Sequence, residues 1–148
     1  MTDQPQSQAS DPAEQNASNL PEGFSSGALM DRMGIEWLEA SGERVVARVP
    51  VEGNTQPYGL FHGGSSAALA ETLASVGSWL VDTSKITMGI EIKVNHLRPV
   101  TQGWVTGVGT PLRIGSSVQV WEIRMTDDQG RLTAFSTCTI AVREPRSS

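Results

Sequence analysis

Residues 65–80 are apolar on nearly every helical face, dense in Ala and Leu and free of Pro. Such a composition favours helix, and a helix without a polar face belongs in an interior. Beyond Asp82 the period changes from that of a helix to two. Ile86, Met88, Ile90, Ile92, Val94 and His96 alternate with Thr87, Glu91, Lys93 and Asn95, which predicts a long strand that ends at Arg98-Pro99. Three more β-like runs follow at 104–112, 118–126 and 132–143, divided by the turns Gly115-Ser116-Ser117 and Asp127-Asp128-Gln129-Gly130. Upstream, Leu29, Met30 and Met33 stand at near-helical spacing. Two β-like runs at 35–40 and 44–51 then read as a hairpin through Ser41-Gly42, and 52–64 is loop by its Gly, Pro and Asn content. The order is two strands, one buried helix, four strands, without an internal repeat. It predicts an α+β architecture in which a single antiparallel sheet wraps a central helix. The helix would run about 24 Å, and Ala67, Ala70, Ala74 and Gly77 are small enough to let its backbone approach the sheet.

Composition changes this picture at one end. Residues 1–25 hold Asp3, Asp11, Glu14 and Glu22, no Lys or Arg, and are otherwise mostly Gln, Ser, Asn, Ala and Pro. They cannot bury enough apolar surface to offset their ordering entropy, so an acidic disordered tail is expected over 1–25 and one folded domain over 26–148. The whole chain of 148 residues carries 16 acids, 11 bases and a net charge of −5. Removing the four tail acids leaves 12 acids against 11 bases, and no basic surplus to neutralise a phosphate backbone. Nucleic acid is therefore an unexpected partner. Cys138 is the only cysteine, which excludes an internal disulfide and a thiolate metal cluster. With no apolar run of membrane-spanning length and no signal-peptide pattern, the expected setting is the cytoplasm, away from membranes.

One residue disturbs the central helix. Glu71 lies between Leu69-Ala70 and Leu73-Ala74 and has no Lys or Arg three or four positions away. An unpaired carboxylate is costly to bury, so it must be exposed, protonated, or turned into a polar cavity that uses it. Its flanks predict little solvent stripe. Just ahead, His62-Gly63-Gly64 leads into the first turn, where backbone N–H groups lack intrahelical partners and the dipole is positive. Such a site can hold an oxygen that gains negative charge during acyl transfer. Gly63 and Glu71 are about 12 Å apart along the helix, too far to reach one carbonyl within a single chain. A second subunit would bring them together. Ser75, one turn beyond Glu71, either positions a water or bonds back to the Glu71 carbonyl. Gln56 offers an amide donor, or is simply a polar loop residue. His62 and His96 with one cysteine make no metal site of usual spacing, and neither a G-x-S-x-G elbow, a Walker loop nor a G-x-G-x-x-G fingerprint occurs. The hydrolytic chemistry left is carboxylate-driven, without metal or organic cofactor.

Over 56–72 the chain reads Gln-Pro-Tyr-Gly-Leu-Phe-His-Gly-Gly-Ser-Ser-Ala-Ala-Leu-Ala-Glu-Thr. This resembles the hotdog-fold acyl-CoA thioesterases, in the branch whose helix carries Leu-Ala-Glu, and within it the bacterial 4-hydroxybenzoyl-CoA thioesterases. Close relatives act on 1,4-dihydroxy-2-naphthoyl-CoA or proofread aryl carrier proteins. The resemblance covers about residues 27–143 and includes His96-Leu97-Arg98-Pro99, Trp121-Glu122-Ile123 and the acidic turn ending at Gly130. It implies a homodimer with sheets joined edge to edge and two active sites across the interface, often doubled into a tetramer. Gln56, His62 and Gly63 would come from one chain, Glu71 and Ser75 from the other. The Gly63 amide would polarise the thioester carbonyl, and Glu71 would attack it or activate a water. His62 would shape the loop, Gln56 would assist near the thioester and Ser75 would position the water. The phosphates of coenzyme A would need cations and donors, which Arg98, Arg113, Ser116 and Ser117, with Arg146, can supply. A non-hydrolytic acyl-thioester binding module is the rival reading. Glu71 discriminates the two, because a binding module has no use for an unpaired carboxylate at the thioester. Hydroxybenzoyl, naphthoyl and phenylacetyl rings all suit an apolar pocket with one polar end.

Overall fold

The computed structural model describes residues 20–146. Its elements are α1 (Ala28–Met33), β1 (Glu36–Ala40), β2 (Val45–Pro50), α2 (Gly63–Val81), β3 (Ile86–His96), β4 (Trp104–Ile114), β5 (Val118–Thr126) and β6 (Leu132–Arg143). The six strands form one antiparallel sheet in the order β1-β2-β4-β5-β6-β3. Local hairpins explain β1/β2, β4/β5 and β5/β6. β3, delivered by the helix, pairs with β6 and becomes an edge. α2 lies on the inner face and touches every strand. Leu69 and Leu73 on the helix, Val45 and Val49 on β2, Trp121 and Ile123 on β5 and Ile140 on β6 are fully buried there. Each such side chain contributes about 1.5–3 kcal/mol by leaving water.

The structure corrects three expectations. α2 begins at Gly63 rather than at 65, because the His62 side chain caps it and draws both glycines into the first turn. The alternation in β3 does not hold through the strand. Its pairing with β6 shifts between Gly89 and Glu91, so Gly89 opposes Ile140 while Glu91 opposes Thr139. This β-bulge inverts the first half. Ile86, Met88 and Ile90 are exposed, while Thr87 and Gly89 join Ile92 and Val94 on the inner face. Finally, packing begins ahead of residue 26. Phe24 stacks on Trp79 at 6.1 Å and meets Trp37 edge-on at 5.9 Å, and Ser26 Oγ accepts a 2.7 Å bond from Trp37 Nε1. Of the expected tail, residues 1–19 lie outside the described residues.

The small-residue side of α2 meets the sheet as expected for Ala70, Ala74 and Gly77, all buried, whereas Ala67 is only half-buried. Gly77 is the tightest approach. A Cβ there would sit 2.5 Å from Cη2 of the fully buried Trp121. Gly77→Ala should therefore destabilise the protein: overpacking costs about 1–3 kcal/mol, which outweighs the helix-propensity gain of about 1 kcal/mol. A lowered midpoint in thermal denaturation checks this, and an unchanged or raised midpoint would contradict it.

Candidate active site

The loop before α2 is held rigidly. Asn54 is buried and donates from Nδ2 to the carbonyls of Met33 (2.8 Å) and Pro50 (2.9 Å), while its own carbonyl accepts from His62 N (2.8 Å). Phe61 N donates to the Val100 carbonyl at 2.7 Å. Asn54 was not singled out in the sequence, where it is one polar loop residue among several. The His62 ring accepts from Gly64 N through Nδ1 at 2.8 Å, which places its proton on Nε2 when neutral. Ser65 N and Ser66 N donate to the His62 carbonyl. Of the first-turn amides, Gly63 N–H is left without an acceptor among the described residues, at the positive end of the helix.

That amide belongs to a cavity of about 360 Å³ lined by Gln56, Gly63, His96 and Arg98 among others. Gln56 Oε1 accepts from Tyr58 N, so the Gln56 amide NH₂ is the donor still free to serve a ligand. His96 ends β3 as expected, but its ring also lies over Gly63, where a Cβ would come within 2.9 Å of Nε2. Its place in this cavity was not legible in the sequence, since it depends on where β3 ends relative to the helix start.

Glu71 opens into a different cavity, about 610 Å³, farther along the helix. The stripe formed by Ala67, Ala68, Glu71, Thr72 and Ser75 lines it, with Phe24, Met30, Val76 and Trp79 as an apolar wall. The helix thus has the partly open stripe that its composition concealed. The Ser75 carbonyl accepts from Thr87 Oγ1 at 3.2 Å, and this bond ties the helix to β3 beside Glu71. Inner-facing Gly89 lies under the Glu71 carboxylate, where a Cβ would fall 2.3 Å from Oε1. The two cavities share no lining residue. One chain therefore brings together Gln56, Gly63 and Arg98, and separately Glu71 and Ser75, while His62 lines neither cavity and caps the helix through Gly64. Arg113, Ser116 and Ser117 line neither cavity. They sit at the β4/β5 hairpin, where the Ser117 carbonyl accepts from Arg143. Arg146 is exposed beyond β6.

The arrangement is a backbone amide without an acceptor among the described residues at a helix start and an exposed carboxylate eight residues on, each lining its own cavity. Residues 58–134 match the family model of the Thioesterase superfamily. The chain belongs to the thioesterase superfamily. Among similar proteins, the proofreading thioesterase EntH of Cronobacter turicensis is 43% identical over 118 residues, 78% of this chain and 86% of that protein. A thioesterase of Haemophilus influenzae superposes with a TM-score of 0.76 at 36% identity, covering 80% of this chain and 85% of the other. A mutant thioesterase of Pseudomonas aeruginosa gives a TM-score of 0.76 at 36% identity, covering 92% and 96%. The fold is the hotdog fold of these thioesterases, and the chain is a thioester hydrolase.

In this thioesterase the single thiol lies in the core and is held in its protonated form. Cys138 is buried on the inner face of β6, and burial, reinforced by the charge of Glu71, pushes its pKa from 9.0 to about 12. The folded state holds that proton more tightly than the unfolded state, so its contribution to stability is complete below pH 9 and is lost as pH rises from there through about 12. The native protein should resist alkylation by iodoacetamide at pH 8, and its urea midpoint should fall progressively above pH 9. Rapid native alkylation would contradict this burial. Among the described residues no group of His, Cys, Asp and Glu is placed to hold a metal, and no helix is long and apolar enough to cross a membrane.

Proposed function

We propose that this thioesterase hydrolyses an aromatic acyl-CoA, with 4-hydroxybenzoyl-CoA as the leading substrate, at sites shared between two subunits. The observation that carries this reading is the division of one helix between two cavities. Gly63 N–H is free in one, Glu71 is exposed in the other, and about 12 Å of helical rise separates them. An unpaired edge supports the closure. β3 is 11 residues long and carries exposed Ile86, Met88 and Ile90, a feature that a second copy would cover. Antiparallel pairing of two such edges sets the His96 end of one chain beside the Gly89 end of the other. The Gly63 recess of one subunit then faces the Glu71 recess of its partner. Arg98 and the partner's hairpin of Arg113, Ser116 and Ser117 come to the same end of the joined sheet, where they would meet the phosphates of coenzyme A. A dimer is the catalytic unit, a tetramer the expected assembly and the cytoplasm the setting.

In the shared site the Gly63 amide takes charge from the thioester oxygen while Glu71 attacks the carbonyl carbon or removes a proton from an attacking water. On the first route the C–S bond breaks to release the thiolate of coenzyme A and leave an acyl–Glu71 anhydride, which one water hydrolyses to the aromatic acid while a proton from that water goes to the thiolate. On the second the proton Glu71 takes from the water passes to the leaving sulfur. Both routes consume one water and give the aromatic acid and the thiol of coenzyme A. The apolar wall with stacked Phe24 and Trp79 suits a planar ring. A second reading, proofreading of an aryl carrier protein, is favoured by the 43% identity to EntH. Thiol release should be measured for 4-hydroxybenzoyl-CoA, 1,4-dihydroxy-2-naphthoyl-CoA, phenylacetyl-CoA, a straight-chain acyl-CoA and an aryl-loaded carrier protein. The highest kcat/KM on 4-hydroxybenzoyl-CoA is the expected result. A carrier-protein preference would select the second reading, and a straight-chain preference would overturn both.

A further inference from the structure

We propose that Gly89 is a positioning residue for Glu71: the space left by its missing side chain seats the carboxylate and sets where the attacking oxygen points. The inference rests on the reading that Glu71 carries out the attack. Register puts Gly89 on the inner face, opposite Ile140, immediately before the bulge. A Cβ at this position would lie 2.3 Å from Glu71 Oε1, 3.1 Å from Cδ and 3.2 Å from Cγ. The whole end of the glutamate thus rests in the gap. Gly89 is not among the glycines with positive φ, so its backbone does not call for glycine, and this is not the kind of bulge that requires a left-handed residue. What the position demands is room.

The surroundings determine which partner must yield. Two residues before Gly89 on the same face, Thr87 bonds to the Ser75 carbonyl, one helical turn after Glu71, and pins strand to helix. The buried small residues Ala70 and Ala74 bring the helix close to the sheet. A methyl group at 89 would therefore displace the movable carboxylate rather than the backbone. The altered quantity is the placement of a group that must stand about 3 Å from the carbonyl carbon, and displacement by about 1 Å can cost on the order of 100-fold in rate.

The test is a cycle of Gly89→Ala, Glu71→Asp and the double variant, with kcat and KM measured on the best substrate of the panel and thermal midpoint and subunit mass measured alongside. Gly89→Ala should lower kcat about 100-fold and leave KM, midpoint and assembly near those of the parent. Aspartate is shorter and withdraws from the methyl, so in the Glu71→Asp background the same change should cost less than about fivefold. Gly89→Ala with near-parental kcat overturns the proposal, as does an equal loss in both backgrounds, which would mean that position 89 acts through the fold. If Gly89→Ala alone does not fold, a folded double variant supports the conflict with Glu71 and an unfolded one overturns it. Glu71→Gln separates the two layers. Parental turnover in that variant sinks the catalytic reading itself, whereas an inactive Glu71→Gln with a fully active Gly89→Ala sinks only the positioning role.

Discussion

Glu71→Gln should still bind acyl-CoA while hydrolysis falls by several orders of magnitude. The amide keeps the shape of the side chain and much of its hydrogen bonding, but it is neither a nucleophile nor a base. Glu71 is exposed in its cavity, so the substitution buries no new polar group and leaves the core of Leu69 and Leu73 untouched. A lost rate then reports chemistry rather than folding. Glu71→Asp should fall between the two, because a side chain shorter by about 1.5 Å misplaces an oxygen that needs to approach within about 3 Å of the carbon. Single-turnover thiol release together with equilibrium binding of a non-hydrolysable thioether analogue measures both halves. Substantial turnover by Glu71→Gln would assign Glu71 a structural role. The binding-module reading forecasts no thiol release even from the unmodified protein.

Combining two inactive chains should restore activity. Gly63→Ala sets a methyl 2.9 Å from His96 Nε2 and crowds the free amide, which is expected to cost about 100-fold as for other lost oxyanion donors. Co-expressed with Glu71→Gln, it forms a mixed dimer in which one site has an intact Gly63 from one chain and an intact Glu71 from the other. The opposite site carries both defects. With random pairing, turnover should recover to about a quarter of the parental value. A mixture no better than the average of the two homodimers would show that each chain carries its own complete site. The expected gain is large because both starting levels are low, so even partial subunit exchange is readable.

Local pattern carried much of the fold. β5 and β6 occupy 118–126 and 132–143 as the alternation and the Asp127-to-Gly130 turn predict, and α2 spans the Ala- and Leu-rich run. Both signals are periodic and short-range. β3 failed in its first half for an equally local reason. One extra residue at a bulge reverses every side chain on one side of it, while the letters continue to alternate. The lone glycine within a run of β-formers was the available sign of a bulge or a close approach. Phe24 was assigned to the tail because its neighbours are polar, yet it packs on Trp37 and Trp79, which are distant in sequence.

The candidate site divides the same way. Glu71 could be singled out because a lone carboxylate in an apolar helix is a chemical contradiction visible in one dimension, and Gly63 because a glycine pair opening a helix marks free amides. Sequence chemistry therefore nominates the groups proposed to act, and helical rise is the ground for expecting that one chain does not join them. Tertiary structure alone decided their surroundings: that Glu71 and Gly63 face separate cavities, that His96 lies over Gly63, and that Gly89 leaves the space under Glu71. Those facts depend on strand register and on how closely a helix approaches a sheet. Both are set by the packing of residues far apart in the chain, and a void has no letter of its own.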